Sequence, residues 1–357
     1  STNYADTLLT CVQRFNAKQG YSAYAGKTWD LLLPAANYEE PDTVWEESGG
    51  SDFVFPHPFP AEPAAVGGVF ANYPAMDSLT LAFALQGLLE KQLGADARRT
   101  DLLAVSLSTT DAVGHQYGPD SREIHDQILR LDRYLGAFLD SLFKLRDQRR
   151  IVVAFTGDHG VSPYPEVHSG RYANQNAKRV DLRPQVAAFA ASLAAVGVPD
   201  NTWAFDDGVF FVRNAAAFDS ARVNADSVAR AFAAVLRKVP GVQRADMFSS
   251  FAKAKPSKDK IARRWLHMFA PGGAARMAVT LTPYSYWATT NYATHGMPHD
   301  PDANVPVVFW GMGVRSGAYR DEVWTVDMAP TLAAILGIKP TEPLDGVVLK
   351  KAVRGAK

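Results

Sequence analysis

Three short stretches of this sequence set histidine among carboxylates at spacings that could hold a metal ion. Ser108-Thr-Thr-Asp-Ala-Val-Gly-His115 puts Asp111 four residues before His115. Thr156-Gly-Asp-His159 puts Asp158 directly beside His159, and the polar run 291–302, Asn-Tyr-Ala-Thr-His-Gly-Met-Pro-His-Asp-Pro-Asp, adds His295. Imidazole nitrogen and carboxylate oxygen together make a ligand set suited to zinc. Each stretch alone has a plainer reading. An Asp and a His four apart arise often by chance, Asp158 could cap a helix beside a solvated histidine, and His295 could be an ordinary surface or hydrogen-bonded side chain. Jointly they favour a metal site, because all three fall where apolar strands end or begin. Neighbouring residues of an extended chain point to opposite sides, so aiming both Asp158 and His159 at one ligand needs a tight turn. Gly157 and Gly160 permit one, while Gly114 and Gly296 stand beside His115 and His295.

Such residues need strands that stop in the right places. Leu102–Leu107 and Ile151–Phe155 are short, nearly all apolar and bounded by polar residues, as strands buried on both faces are. Between them, Asp120-Ser-Arg-Glu123 reads as a capping box that opens a long helix with Ile124, Ile128, Leu131, Leu135, Phe138 and Leu142 on its buried stripe. Strand, helix, strand is a crossover unit, which implies parallel pairing with a right-handed connection. Upstream, Asp77–Glu90 predicts a helix with Asp77 as N-cap and Leu79, Phe83, Leu85 and Leu89 facing a sheet. Downstream come helices near 184–196 and 223–238, strands at 276–281 and 305–310, and a helix with start and stop signals over 325–337. Residues 30–75 carry prolines at 34, 41, 56, 58, 60, 63 and 74 and predict an ordered but irregular excursion. The fold class is α/β, three layers α/β/α around a mostly parallel central sheet. In open sheets of this kind ligands bind beyond the carboxyl ends of the strands, where the candidate ligands lie.

Lys and Arg number 37 against 37 Asp and Glu, so no charge excess points to nucleic acid or an anionic membrane. No apolar run approaches the roughly 18 residues of a spanning helix, so no membrane partner is expected and a small-molecule one is. Cys11 is the single cysteine, which excludes an intramolecular disulfide and any thiolate metal cluster. The opening STNYADTLLTCVQRFN lacks an initiator Met and a charged leader region and reads as a processed or truncated start.

On the D-x-x-x-H, D-H and distant His pattern, the sequence resembles the alkaline phosphatase superfamily, nearest its phosphate-irrepressible alkaline phosphatase and nucleotide pyrophosphatase/phosphodiesterase branches. Asp111 precedes Asp158 by 47 residues and His159 precedes His295 by 136, spacings similar to those of the phosphatase branch. STNYADTLLTCVQRFNAKQG and YAGKTWDLLLP resemble its mid-chain segments. The resemblance implies two zinc ions, the first held by Asp111, His115 and His295, the second in part by Asp158 and His159. It implies in-line hydrolysis of phosphate esters, monoesters foremost, in which two metal ions about 3.5–4 Å apart clamp the transferring phosphoryl group. It further implies that 1–357 is part of a single alkaline-phosphatase-like catalytic domain, and a periplasmic or secreted setting. The family's Thr or Ser nucleophile, one further Asp ligand and its phosphate-contacting residues have no counterpart here. They are expected in a segment before Ser1 that also contributes strands to the sheet, so that 1–357 alone is inactive. The alternatives are a phosphodiesterase or nucleotide pyrophosphatase, and a non-catalytic metal-binding fragment.

A sulfatase shares the implied fold but needs a Cys-x-Pro-Ser-Arg-like motif, and Cys11 lies in Cys-Val-Gln-Arg instead. A cofactor-independent phosphoglycerate mutase keeps similar ligand pairs with a poorer likeness elsewhere. Other polar residues have plainer readings. Arg122 and His125 fall at a helix surface or edge, Arg171 and Lys178 in a solvated loop, and His57 in packing. His299, Asp300 and Asp302 form a turn, with support of a ligand or contact with substrate as the lesser alternative. Trp203, Phe205, Phe210, Phe211 and Trp287 are read as core.

Overall fold

In the computed structural model, which describes residues 6–42, 54–166, 176–251, 258–269, 272–288 and 293–355, helices and strands mix as an α/β chain requires. The described residues form two compact units. One comprises those before 159 together with those from Val305 onward, the other His159–Asn304.

The first unit contains α1 (Thr10–Lys18), α2 (Pro63–Val69), α3 (Ala75–Glu90), α4 (Thr109–Tyr117) and α5 (Arg122–Leu145). Helix α5 opens on Ser121, whose Oγ accepts from the Ile124 N–H at 3.1 Å. The predicted capping box is thus shifted by one residue. Glu123 does not reach back to the helix start but lies buried, 2.9 Å from His57 Nε2. The buried face of α5 is Glu123, Ile124, Asp126, Gln127 and Leu142, and Ile128, expected inside, is 52% exposed. A pattern of apolar residues cannot show that three polar ones turn inward to partners.

Asp126 explains why the proline-rich excursion is ordered where it is described. Its Oδ1 accepts from Leu32 N–H at 2.7 Å and Tyr38 O–H at 2.6 Å, and its Oδ2 from Trp29 Nε1 and Arg130 Nε, each at 2.6 Å. Arg122 and His125 act from the same helix edge: Arg122 Nη2 donates to the Glu40 carbonyl at 2.7 Å, and His125 Nδ1 lies 3.0 Å from Glu40 Oε2. A short strand just before the excursion, β1 (Thr28–Trp29), pairs antiparallel with one inside it, β2 (His57–Pro58). His57 is fully buried against Phe55, Trp29 and Tyr117, the packing role expected of it.

Helix α3 buries Asp77, Leu81, Ala84 and Leu88, while Phe83 and Leu89 are 37% and 50% exposed. The predicted face is wrong because the helix is apolar on nearly all sides, leaving packing against α5 rather than periodicity to choose. The strand predicted at 102–107 does not form; Leu102 is 84% exposed, Leu103 and Val105 37% each. A strand exists only through ladder partners, and none of the described strands pairs with this stretch. The parallel crossover is therefore absent among the described residues. The strand after the long helix does form, as β3 (Val152–Thr156). It pairs antiparallel with β10 (Val307–Gly311), Val307 opposite Thr156 and Gly311 opposite Val152. The last helix, Met328–Leu336, ends at Gly337 in the left-handed region, φ 68°, as its stop signal predicts.

The second unit is built on a four-stranded antiparallel sheet in the order β5 (Trp203–Asp206), β6 (Val209–Val212), β8 (Ala275–Leu281), β7 (Val242–Met247). Period-two alternation sends Met277, Val279 and Leu281 to one face with Phe210 and Val212, where helices Arg183–Ala195 and Ala225–Leu236 cover them. Ala278, Val209 and Phe211 point to the other face, packed with Trp265 of helix Lys260–Met268 and Phe251. Trp203, Phe205, Phe210, Phe211 and Trp287 all lie in these two cores, as expected. Strands β4 (Arg179–Val180) and β9 (Tyr286–Trp287) form the one parallel pair among the described strands.

Candidate metal centre

In the first unit, α4 carries Asp111 in its first turn and His115 in its last. Residues four apart share a helix face. Asp111 Oδ1 accordingly lies 3.4 Å from His115 Nε2, with both side chains reaching solvent. The start of α4 is set by Asp77, whose Oδ1 accepts from the Thr109 N–H at 3.3 Å while its carboxylate also accepts from Gln127 Nε2 at 2.8 Å. Asp77 thus serves a helix N-terminus, but that of α4 rather than its own, which begins at Pro74. Burial pushes its carboxyl above the usual range, against the hydrogen bonds from Thr109 and Gln127. Strand β3 ends at Thr156, and the exposed Asp158 follows two positions later. With Asp158 the chain leaves this unit and with His159 it enters the other.

In the second unit, the rings of His159 and His295 stack with centroids 3.4 Å apart and planes 18° from parallel. His159 Nδ1 is 2.9 Å from the carbonyl oxygen of Gly160. A carbonyl can only accept, so a ring proton sits on Nδ1, and the neutral tautomer compatible with this bond carries its lone pair on Nε2. That is the tautomer a metal ligand through Nε2 needs, held by a backbone acceptor as ligand histidines commonly are.

The two loops behind these rings are fastened to each other. Ser162 and Thr294 exchange backbone hydrogen bonds at 2.9 and 3.3 Å, and Gly160 N–H donates to the Asp302 carbonyl at 2.8 Å. The Asp302 carboxylate accepts from Ser162 Oγ at 2.6 Å and from the Met297 N–H at 2.8 Å. A Cβ on residue 160 would stand 2.0 Å from the Pro301 carbonyl oxygen, so this approach admits only glycine. Gly296, at φ 113°, occupies a conformation closed to other residues in practice. His299 Nε2 donates to the Leu281 carbonyl at 2.7 Å, tying the same loop to β8. Burial raises the Asp302 carboxyl, opposed by the Ser162 and Met297 donors, whereas the Arg264 guanidinium, 2.7 Å away, holds the exposed Asp300 low.

A family model described as type I phosphodiesterase / nucleotide pyrophosphatase matches residues 16–265. The chain belongs to this family. It falls with it in the alkaline phosphatase superfamily, as its ligand motifs lead one to expect. Alkaline phosphatase PhoK of a Sphingomonas species is 33% identical over 294 residues, 78% of this chain and 51% of PhoK. Alkaline phosphatase PhoV of Synechococcus elongatus is 28% identical over 355 residues, 98% of this chain and 63% of PhoV. The chain therefore spans between about half and two-thirds of the length of these relatives. A crystal structure of wild-type alkaline phosphatase PafA matches with a TM-score of 0.84 over 98% of this chain and 68% of that one. At 23% identity this likeness shows the fold, which is alkaline-phosphatase-like.

Of the five ligands the superfamily pattern implies, the fold pairs Asp111 with His115 in one unit and His159 with His295 in the other, and sets Asp158 just past a strand end. Among the residues with plainer readings, Lys178 is exposed, and Arg171 lies outside the described residues, as do Asn291 and Tyr292. Asp302 joins the two histidine-bearing loops through its bonds to Ser162 and Met297. Ser162 was not anticipated, since nothing in its neighbourhood marks a serine three residues past His159 as a partner for a carboxylate.

Proposed function

We propose that this chain forms part of a zinc-dependent phosphate ester hydrolase whose preferred substrates are phosphate monoesters. Asp111, His115 and His295 would hold one zinc ion, and Asp158 and His159 part of the shell of a second. The observation that carries this reading is the stacked His159–His295 pair, with His159 Nδ1 turned to the Gly160 carbonyl. The donor set fits zinc: borderline imidazole nitrogens and carboxylates, with no thiolate. When bound, the ions would neutralise charge on the entering and leaving oxygens of a transferring phosphoryl group. The chain's own part is to present ligands that need no rearrangement, one pair from a helix face and one from two fastened loops.

The hydroxyl nucleophile and the remaining Asp ligand are proposed to come from a segment outside these 357 residues, which would act in the periplasm or as a secreted enzyme. Leu102 at 84% exposure, and Phe155, Val308 and Trp310 at 42%, 47% and 41%, lie open on or beside strand-forming sequence. Apolar side chains left open in this way form a surface suited to cover by a further segment. The description of the matching family favours a second reading, a diesterase or nucleotide pyrophosphatase. The full-length gene product and residues 1–357 should be assayed with zinc on p-nitrophenyl phosphate and on bis-p-nitrophenyl phosphate. Turnover by the full-length product alone, faster on the monoester, is expected. A faster diester reaction selects the second reading, and zinc binding without turnover of either selects a non-catalytic fragment. Equal turnover by both proteins would place the nucleophile within 1–357.

A further inference from the structure

We infer that Asp302 is the positioning residue of the histidine pair: its buried carboxylate locks the loop after His159 to the loop around His295, and so sets where their rings stand. The inference rests on the zinc-site reading above and adds to it a residue that binds no metal and touches no substrate.

Asp302 is 5% exposed and lies in the short helix Asp300–Ala303. Its two carboxylate oxygens serve different loops. Oδ1 takes the Ser162 hydroxyl from the loop of His159, and Oδ2 takes the Met297 N–H from the loop of His295. Its carbonyl takes the Gly160 N–H as well. Gly160 is the neighbour of His159, and its own carbonyl receives the His159 ring proton. One residue therefore fixes the backbone unit that orients one imidazole and, two positions past His295, the chain that carries the other. Burying a carboxylate is costly unless it is fully hydrogen-bonded, and here each oxygen has a donor.

The chemistry separates this role from that of a ligand. Asparagine at 302 can accept from Met297 N–H through Oδ1 and donate through Nδ2 to the Ser162 oxygen, because a hydroxyl accepts as well as donates. The clasp survives in Asp302→Asn and the charge does not. In Asp302→Ala both connections are lost, and partners that support ligands in this manner are worth about 10–100-fold in metal affinity.

Zinc affinity of residues 1–357 should be measured by chelator competition for wild type, Asp302→Ala, Asp302→Asn, Ser162→Ala and His295→Ala. In parallel, imidazole 15N–1H spectra of the metal-free proteins should be recorded. The inference expects Asp302→Ala to weaken zinc by about tenfold or more, Asp302→Asn to stay within about threefold of wild type, and Ser162→Ala to fall between. The metal-free spectra should show the His159 and His295 signals displaced in Asp302→Ala and His57 unmoved. If Asp302→Ala does not fold, Ser162→Ala and Asp302→Asn decide alone, by the same ordering. Asp302→Asn losing as much zinc affinity as Asp302→Ala would overturn the inference in favour of a charge or ligand role. So would Asp302→Ala binding zinc like wild type while His295→Ala does not, which leaves the zinc reading standing. Should wild type bind no zinc, the zinc reading fails and the metal-free spectra decide the inference: displaced His159 and His295 signals support it, unchanged ones refute it.

Discussion

Glycine 160 offers a sharp test of how the histidine loops are held. Alanine there would put its Cβ 2.0 Å from the Pro301 carbonyl oxygen and 3.1 Å from its carbon, where side-chain carbons essentially never come closer than 3.0 Å. The two segments must part by about 1 Å, which stretches the 2.8 Å bond from Gly160 N–H to the Asp302 carbonyl past hydrogen-bonding range. Overpacking costs about 1–3 kcal/mol, and leaving buried polar groups without partners costs about 1–3 kcal/mol. Gly160→Ala should therefore lose about 2–6 kcal/mol in urea unfolding if the Ser162–Thr294 and Asp302 carboxylate links still hold the loops together. If they separate, the stability loss is smaller and zinc affinity falls instead. Gly114→Ala is the control, the same change next to the other histidine. Its Cβ meets only Ile124 Cδ1, at 4.0 Å, inside a helix where alanine gains about 0.5–1 kcal/mol over glycine. A Gly160→Ala protein with wild-type stability and wild-type zinc affinity would refute the account of the two loops.

Three further outcomes are expected. His295→Ala and Asp111→Asn should each lower zinc content by elemental analysis, and full stoichiometry in both would remove the first zinc assignment. In the full-length product, Asp158→Ala or His159→Ala should cut phosphatase turnover by orders of magnitude with an unchanged far-ultraviolet circular dichroism spectrum; loss of fold together with activity would instead mark these residues as structural. Asp77→Asn should change how stability depends on pH. Because burial raises the Asp77 carboxyl, the folded protein keeps a proton that the unfolded chain releases near pH 4. This contribution to wild-type stability is full below that pH and declines as pH rises through the raised value. The Asn variant lacks that decline, and Gln127 Oε1, which has no partner among the described residues, can turn to accept its amide. Urea midpoints of the variant should gain on wild type as pH rises above about 4, and parallel curves would contradict the buried-carboxyl account.

What could be read of the fold from the sequence follows from how local each signal is. Helix Ala225–Leu236 carries its own cap, Asn224 Oδ1 accepting from the Ser227 N–H at 2.8 Å, and it lies where the sequence places it. Strand β8 was legible because a central strand covered on both faces is mostly apolar, here Met277, Ala278, Val279 and Leu281. The hairpin of β5 and β6 was not anticipated, although the signal was present: Asp207 and Gly208 both have positive φ, at 42° and 78°, the Asp-Gly turn that joins two strands directly. Leu102–Leu107 fails for the opposite reason. Its composition suits a strand, but a ladder is a property of two segments, and a sequence reading sees one.

The candidate metal site divides along the same line. Histidine is scarce, eight in the chain, so three of them beside carboxylates near the strands the sequence predicts stand out without any knowledge of the fold. What holds them does not stand out, because it is made of common residues joined over long separations. Ser162 and Asp302 are 140 positions apart, and Asp77 reaches Gln127 across 50. Neither pairing leaves a mark in its own neighbourhood. Ligand chemistry can therefore be read from residue type, whereas the geometry that makes it usable depends on buried carboxylates whose partners only the fold supplies. This is why substitutions at Asp302 and Gly160, rather than at the histidines, discriminate best between a positioned site and a chance gathering of ligand types.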